Sequence, residues 1–337
     1  MFLTFLRESI RFSTVFLYGS TGETITQKSG HLNLGTPGIM CVGAIGGSLG
    51  ELWYIKSLSD LSQMNGFLAV LIPILTTLLF SGLAGLLFSF FTVTLRCNQN
   101  VVGLTITTFG VGLNKFVLGN MDNTGFGEAW KYFIKSFPCA NDNWFTQLFF
   151  SYGTLVYLAL IIAIIVTIVF KKTRVGLTLR AVGENPATAD AAGINVTKYR
   201  YISTIIGCAV SGLGGLFYIM DYNGGSIGNI AVTVEAYGWL AVALVIFSVW
   251  KPSWGILGSI LFSLLYFVPN FFSVSTTAMK EFIKILPYIV TIVVLIVTSM
   301  INKRETQPPA ALGVSYLRED RKTKPKTHIV LDKNKRQ

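Results

Sequence analysis

Charged residues are scarce in this sequence. Asp, Glu, Lys and Arg make up 13% of its 337 residues, whereas an average soluble domain has about 25%. Hydrophobic residues make up 52%, and the mean hydropathy is +0.58. This composition excludes an ordinary soluble domain, and it equally excludes an intrinsically disordered chain. What it favours is a polytopic membrane protein that forms one helical domain.

Residues suited to metal, redox or nucleotide chemistry are also few. The chain has 2 His and 4 Cys, with no C-x-x-C pair, so we predict no metal site and expect buried free thiols. No G-x-x-x-x-G-K-[ST] loop occurs, so an ATP-driven process needs its nucleotide-binding subunit from another polypeptide. No acid–base pair lies in a long apolar run. We therefore predict no catalytic residue, no cofactor and no enzyme activity in this chain.

Long uncharged runs predict the fold class. A membrane helix needs about 20 mainly apolar residues, and the clearest such run, 148–170, ends at Lys171-Lys172. Further runs cover residues 61–95, 97–114, 201–220, 236–250, 253–272 and 285–301. We predict an all-α bundle of about eight to ten spans. Close helix packing is expected at the glycine motifs of two runs, Gly43, Gly46, Gly47 and Gly50 in one and Gly212, Gly214 and Gly215 in the other.

Two N-terminal runs are less regular than the others. Residues 12–22 form a short run interrupted by Gly19 and Gly22, and residues 32–50 carry Gly35, Pro37 and Gly38 at their start. Interrupted membrane segments often mark a substrate path. They are equally compatible with kinked packing helices, because Gly and Pro are common in membrane helices.

The excess positive charge lies in two segments. Of the net charge of +11, residues 171–200 carry +4 and residues 303–337 carry +6. Basic segments beside spans mark the cytoplasmic side, so we place both inside and 119–147 outside. Counting the spans back from these segments places Arg7 and Arg11 outside, which opposes the rule that positive charge lies inside. The side of the membrane on which the N-terminus lies is therefore left open. No nucleic-acid motif accompanies the charge.

The charge also suggests a domain organisation. We predict a membrane domain over residues 1–302 and a basic, disordered cytoplasmic tail over 303–337, because the tail has prolines, many charges and few apolar residues. The tail is either simply solvated or in contact with anionic membrane lipid.

The loop at 171–200 contains the signals of a short helix. Asn185 is a favourable N-cap, Pro186 suits the first helical position, and Gly193 stands where a helix stop is expected. The residues between them are mostly small. A smooth helix of about two turns can seat in a groove of another protein, and it can equally be an ordinary connector.

The amino-acid sequence of this loop resembles that of a known protein family. LRAVGENPATADAAGINV, followed by an apolar run with SGLGGL, is similar to the coupling loop of ATP-binding cassette (ABC) importer permeases for simple sugars, nucleosides and branched-chain amino acids. The similarity is greatest to the branch for purine nucleosides that uses lipoprotein receptors. GETITQKSGHLNLGTPGIM (22–40) and YGWLAVALVIFSVWKPSWG (237–255) also resemble that branch. The sequence differs from that branch in two places. Pro37 stands where the branch usually has Glu, and the segment in which the branch usually has an Asn contains Thr105, Thr107 and Thr108 instead.

The resemblance implies a permease subunit in a bacterial plasma membrane. It would import a nucleoside or simple sugar by alternating access, together with an ABC ATPase subunit, a second permease subunit and an extracellular lipoprotein solute-binding protein. The expected ATPase contact comprises Gly183, Glu184, Asn185, Pro186, Ala189, Asp190 and Gly193. The candidate translocation-path residues are Asn33, Gly35, Thr36, Gly38, Thr105, Thr107 and Asn114. An ion-coupled secondary transporter is the alternative, which the lack of charge in the strongest spans disfavours.

Overall fold

The regular elements in the described part of the chain are helices. The structure, a computed structural model, describes residues 2–135, 143–271, 279, 282–283, 285–301 and 307–317. Nine helices in these ranges have 16 residues or more, which agrees with the predicted eight to ten spans and confirms the all-α fold class. Five of them are long and apolar enough to cross a membrane.

The helices follow one another along the chain with short connections. The first seven are α1 (Phe2–Lys28), α2 (Thr36–Ser57), α3 (Gly66–Ser89), α4 (Gln99–Gly119), α5 (Phe126–Phe133), α6 (Trp144–Phe149) and α7 (Thr154–Lys172). The others are α8 (Arg174–Glu184), α9 (Pro186–Ala191), α10 (Val196–Phe217), α11 (Ala231–Phe247), α12 (Pro252–Phe271) and α13 (Leu286–Ile301). π-helical turns extend α3 over Phe90–Thr94 and α10 over Tyr218–Tyr222.

The first helix occupies the centre of the bundle. Every residue from 12 to 27 is buried, and α1 packs against α7, α10, α11 and α12. Both Gly19 and Gly22 lie within one continuous helix, so the structure favours a packing helix, one of the two interpretations left open for this run. A helix enclosed by protein needs no lipid-compatible surface, so its many Ser, Thr and Gly residues are tolerated there.

Glycines let α2 and α10 approach with their backbones in contact. A Cβ on Gly43 would lie 2.3 Å from the carbonyl oxygen of Gly212, and one on Gly215 would lie 2.0 Å from that of Met40. Real Cβ atoms do not come so close, so these positions require glycine. The packing role predicted for the two glycine motifs is confirmed at these contacts. Two of the predicted buried thiols, Cys41 and Cys208, are also buried.

The bundle has two ends, which we call the basic end, where residues 171–200 lie, and the distal end opposite it. α10 begins at the basic end and reaches the distal end at Asp221. There Arg11 of α1 donates from Nε to Oδ1 of Asp221 at 2.8 Å. Arg11 therefore lies at the distal end, as the predicted alternation of spans requires, and α1 is one full-length helix of the bundle.

Candidate functional site

The short helix predicted within the 171–200 loop is present as α9. The side chain of Asn185 accepts from the backbone N–H of Thr188 at 3.0 Å, Pro186 is the first helical residue, and Gly193 has a φ of +85°. The cap, the start and the stop are those that the sequence predicts. The preceding helix α8 was not predicted, although Thr173 caps it by accepting from the N–H of Gly176 at 3.2 Å.

The loop is firmly seated on the bundle. Val182, Ala189 and Val196 form a small apolar cluster, and a Cβ on Gly183 would lie 2.3 Å from the carbonyl oxygen of Lys28. Among the predicted ATPase-contact residues, Gly183 and Ala189 are buried, Pro186 and Asp190 are half-buried, and Glu184, Asn185 and Gly193 are exposed. The buried members hold α9 in place, and the others are accessible to a partner.

A segment near the C-terminus, residues 307–317, crosses this loop, and we call it the C-terminal strap. Its Ala311 N–H donates to the carbonyl of Gly183 at 3.0 Å, and its Gly313 N–H donates to that of Gly30 at 3.0 Å. Disorder was expected from residue 303 onward, but the strap is ordered because its backbone donors find partners on the bundle. The rest of the predicted tail, 303–306 and 318–337, lies outside the described residues.

The strap also binds the two acidic side chains of the loop. The Tyr316 hydroxyl donates to Oδ2 of Asp190 at 2.9 Å, and the Ala310 N–H donates to Oε2 of Glu184 at 3.4 Å. Both carboxylates were predicted to lie at a contact with another subunit. In this structure they already have partners within the chain, so the strap lies beside the surface of α9 that they belong to.

Six of the seven predicted path residues come together where α2 begins. They are buried and make contacts within the bundle: Asn33, Gly35, Thr36, Gly38, Thr107 and Asn114. Asn114 donates to the carbonyl of Cys41 at 2.9 Å, and Thr107 donates to that of Leu34 at 2.9 Å. Each of these hydrogen bonds joins α4 to α2 or to the turn before it. In this conformation the six residues hold helices together.

Glu23 is the polar residue of this region that the sequence analysis missed. Its carboxylate accepts from the Thr36 hydroxyl at 2.7 Å, from Gln27 Nε2 at 2.8 Å and from the Asn33 N–H at 3.3 Å. It thereby ties α1 to the start of α2. Glu23 lies in the stretch 22–40 that resembles the permease branch, and no role was predicted for it. The spacing of four between Glu23 and Gln27, typical of a helix face, was the available signal.

The seventh predicted residue, Thr105, lies on the outward face of α4. The exposed residues of this face include Thr105, Thr108 and Lys115 besides apolar ones. The outward faces of two other spans are different. Within the described residues, the exposed side chains along α3 are all Leu or Phe, and those in the middle of α7 are all Ile. Lys115 lies near the end of α4, where a lysine can reach the membrane interface. The exposed hydroxyl residues Thr105 and Thr108 therefore distinguish the α4 face from those of α3 and α7.

Comparison with known proteins identifies relatives over nearly the whole chain. The family model described as "Branched-chain amino acid transport system / permease component" matches residues 5–296. The nucleoside ABC transporter permease protein NupC of Lactococcus lactis is 30% identical over 91% of this chain and 94% of its own length. The guanosine ABC transporter permease protein NupQ of Bacillus subtilis is 29% identical over 89% of this chain and 92% of its own length.

A relative with a different described solute is also similar. The putative glucose ABC transporter permease protein TsgC13 of Haloferax volcanii is 30% identical over 77% of this chain and 75% of its own length. No solved structure is significantly similar to the chain.

Proposed function

Because the chain belongs to the family of permease components of branched-chain amino acid transport systems and is a multi-pass permease subunit of an ABC transporter, we propose that the solute it imports is a nucleoside. The share of this chain that each alignment spans supports this choice. The alignment with NupC spans 91% of this chain, against 77% for the glucose permease TsgC13. A simple sugar is the second candidate, because the identity to TsgC13 is the same 30%.

The proposed transporter contains further subunits. Since the chain has no phosphate-binding loop, ATP hydrolysis belongs to a separate ATPase subunit that docks on α9. A second permease subunit completes the path, and an extracellular lipoprotein delivers the solute. ATP-driven closure of the ATPase would move the two permeases as rigid bodies and expose the solute alternately to the two sides.

Uptake measurements test the proposed solute and energy source. In a deletion strain that expresses the chain with its partner subunits, labelled guanosine or adenosine should accumulate, and ribose and galactose should not. Uptake should stop on ATP depletion and persist with a protonophore. Accumulation of a sugar alone would refute the nucleoside assignment. Uptake that a protonophore abolishes and ATP depletion spares would refute ATP-driven transport.

The outward face of α4 supports a location for the path. We infer that Thr105, Thr108 and Lys115 face the second permease, with the solute passing between the two subunits. Hydroxyl groups there can hydrogen-bond a ribose or a base edge. The buried residues near the start of α2 then support this wall from behind and do not themselves line the path in this conformation.

A bulky substitution on this face should block transport. We expect Thr108→Trp to lower uptake about tenfold or more, because an indole would fill space between the two permeases, while the melting temperature of the detergent-purified complex changes little. Leu79→Trp is the matched control, since it places the same ring on the apolar outward face of α3. Equal uptake by the two variants would place the path elsewhere.

The stop of α9 at Gly193 provides a second prediction. Gly193 has a φ of +85° and no heavy atom within 4 Å of an added Cβ, so a substitution there acts through the backbone alone. Valine should cost about 1–2 kcal/mol in this left-handed region, shift the end of α9 and lower transport-coupled ATP hydrolysis. Asparagine, which tolerates this conformation, should retain activity. Equal activity of the Val and Asn variants would show that the stop is not required.

The proposed orientation places the basic end and the C-terminus in the cytoplasm. In a cysteine-free background, a cysteine at Asn123 should react with a membrane-impermeant thiol reagent added to intact cells. A cysteine at Lys172 should react only after the cells are opened. Both positions are exposed at opposite ends of the bundle. The reverse labelling pattern would invert the orientation of every span.

A further inference from the structure

The C-terminal strap joins the turn after α1 to the segment from the end of α8 to α10. It contacts the end of α8 through Gly183, the turn after α1 through Gly30 and α9 through the Tyr316–Asp190 hydrogen bond. A fourth contact runs to α10, where Arg200 Nη1 donates to the carbonyl of Val314 at 3.1 Å. The strap is therefore fixed at several points and lies beside the accessible side of α9.

A groove opens between the strap and the loop. It has a volume of about 610 Å³, and its walls include Arg96, Asp190, the residues 193–198, Tyr316 and Leu317. One wall thus belongs to the strap and another to the stretch between α9 and α10. Arg96 and Lys198 place two cationic groups in the groove, whereas its carboxylate, Asp190, is bound by the strap.

We propose that the strap is part of the docking surface for the ATPase subunit, and that an acidic segment of that subunit enters this groove. The inference rests on the proposed function and extends the expected contact from α9 to the C-terminal residues. The groove begins at Asp190 and Gly193, where α9 ends, so an ATPase seated on α9 also reaches it. Both cationic residues are exposed, so they favour a carboxylate-bearing segment through complementary charge, although each single pair contributes little.

One further observation supports a contact with a protein partner. Val314 is 54% exposed, although its backbone carbonyl is held by Arg200. An apolar side chain on a fixed backbone, two residues before the groove residue Tyr316, presents a contact that needs little ordering on binding. The strap would therefore give the ATPase both an apolar contact and one wall of the groove.

Photo-crosslinking in the assembled transporter tests the proposal. A photoreactive amino acid is placed at Thr188 on α9, at Val314 on the strap, or at Trp144 near the distal end as the control. We expect crosslinks to the ATPase subunit from positions 188 and 314 and none from 144. A crosslink from 188 without one from 314, in every nucleotide state, overturns the inference and leaves the proposed function standing. The absence of both refutes the ATPase contact itself.

The Tyr316–Asp190 hydrogen bond allows a second test. Tyr316→Phe removes only the hydroxyl, and we expect the ATPase subunit to bind the purified permease pair about tenfold more weakly, the size of effect typical of a lost hydrogen bond to a charged group. Tyr157→Phe, which removes a hydroxyl bonded to the Phe149 carbonyl near the distal end, is the matched control and should bind normally. Unchanged affinity of the Tyr316 variant would overturn the role of the strap in shaping the groove.

Discussion

Replacing Gly22 with alanine should prevent the bundle from assembling stably. A Cβ at this position would lie 2.2 Å from the carbonyl oxygen of Gly207 and 2.3 Å from Oγ of Ser211. Neither neighbour can retreat easily, because both belong to α10, which packs along the whole of α1. Overpacking of a tight core typically costs about 1–3 kcal/mol and sometimes more. We expect the upper part of this range, because the carbonyl that would be displaced belongs to helix backbone.

Thermal unfolding of the detergent-solubilised protein measures this effect. The Gly22→Ala variant should melt well below the wild type and should be recovered in lower yield from membranes. Gly112→Ala is the matched control: it makes the same change within a helix, in α4, where no heavy atom lies within 4 Å of the added Cβ. The control should be neutral or slightly stabilising, because alanine is the better helix former. A wild-type melting temperature for Gly22→Ala would contradict the close contact between α1 and α10.

Removing the positive charge of Arg11 should destabilise the distal end by a similar amount. The Arg11 side chain is 23% exposed and that of Asp221 is fully buried, so Arg11→Met would leave a buried carboxylate without its ion-pair partner. Breaking a buried ion pair in this way costs about 3–5 kcal/mol, and the partial exposure of Arg11 favours the lower end. Arg11 also donates to the backbone carbonyl of Asp221, so the same substitution removes a second contact between α1 and α10.

The neighbouring arginine supplies the control for this prediction. Arg7 pairs with Glu8, and both side chains are substantially exposed, at 40% and 32%. Arg7→Met should therefore change the melting temperature little, since exposed ion pairs contribute about 0–1 kcal/mol. The double variant Arg11→Met, Asp221→Asn should recover part of the lost stability, because it removes the buried charge as well. Equal melting of the Arg7 and Arg11 single variants would show that the buried pair adds nothing.

The sequence predicts the local structure of the functional loop well. The start and stop of α9 depend on Asn185, Pro186 and Gly193, whose preferences operate over a few residues and need no tertiary context. The apolar run at 148–170 likewise predicts α7, because a lipid-facing helix must be apolar along its outward side. These features could be read directly because the residues that cause them are adjacent in the chain.

Other features depend on contacts between distant parts of the chain and could not be read in this way. Hydropathy did not predict α1 as one helix. Because α1 is enclosed by other helices and not by lipid, it tolerates many Ser, Thr and Gly residues, which lower its hydropathy. The burial of Asn33, Thr36 and Asn114 depends on how α2 and α4 face each other. The strap was assigned to a disordered tail because residues 303–337 as a whole are rich in charge and proline, although residues 307–317 carry no charged side chain. The strap is held by single backbone hydrogen bonds to the carbonyls of Gly183 and Gly30. Such contacts cannot be inferred from amino-acid composition.

The enclosed position of α1 has a consequence for how the protein is made. Insertion into a bilayer depends on the hydropathy of a segment taken alone, and α1 is not among the helices apolar enough to cross on that basis. In the proposed orientation it also carries Arg7 and Arg11 on the side that positive charge normally avoids. The helices that enclose it, α10, α11 and α12, are synthesised some 200 residues later. α1 therefore reaches its final surroundings only after α10 to α12 have also been inserted.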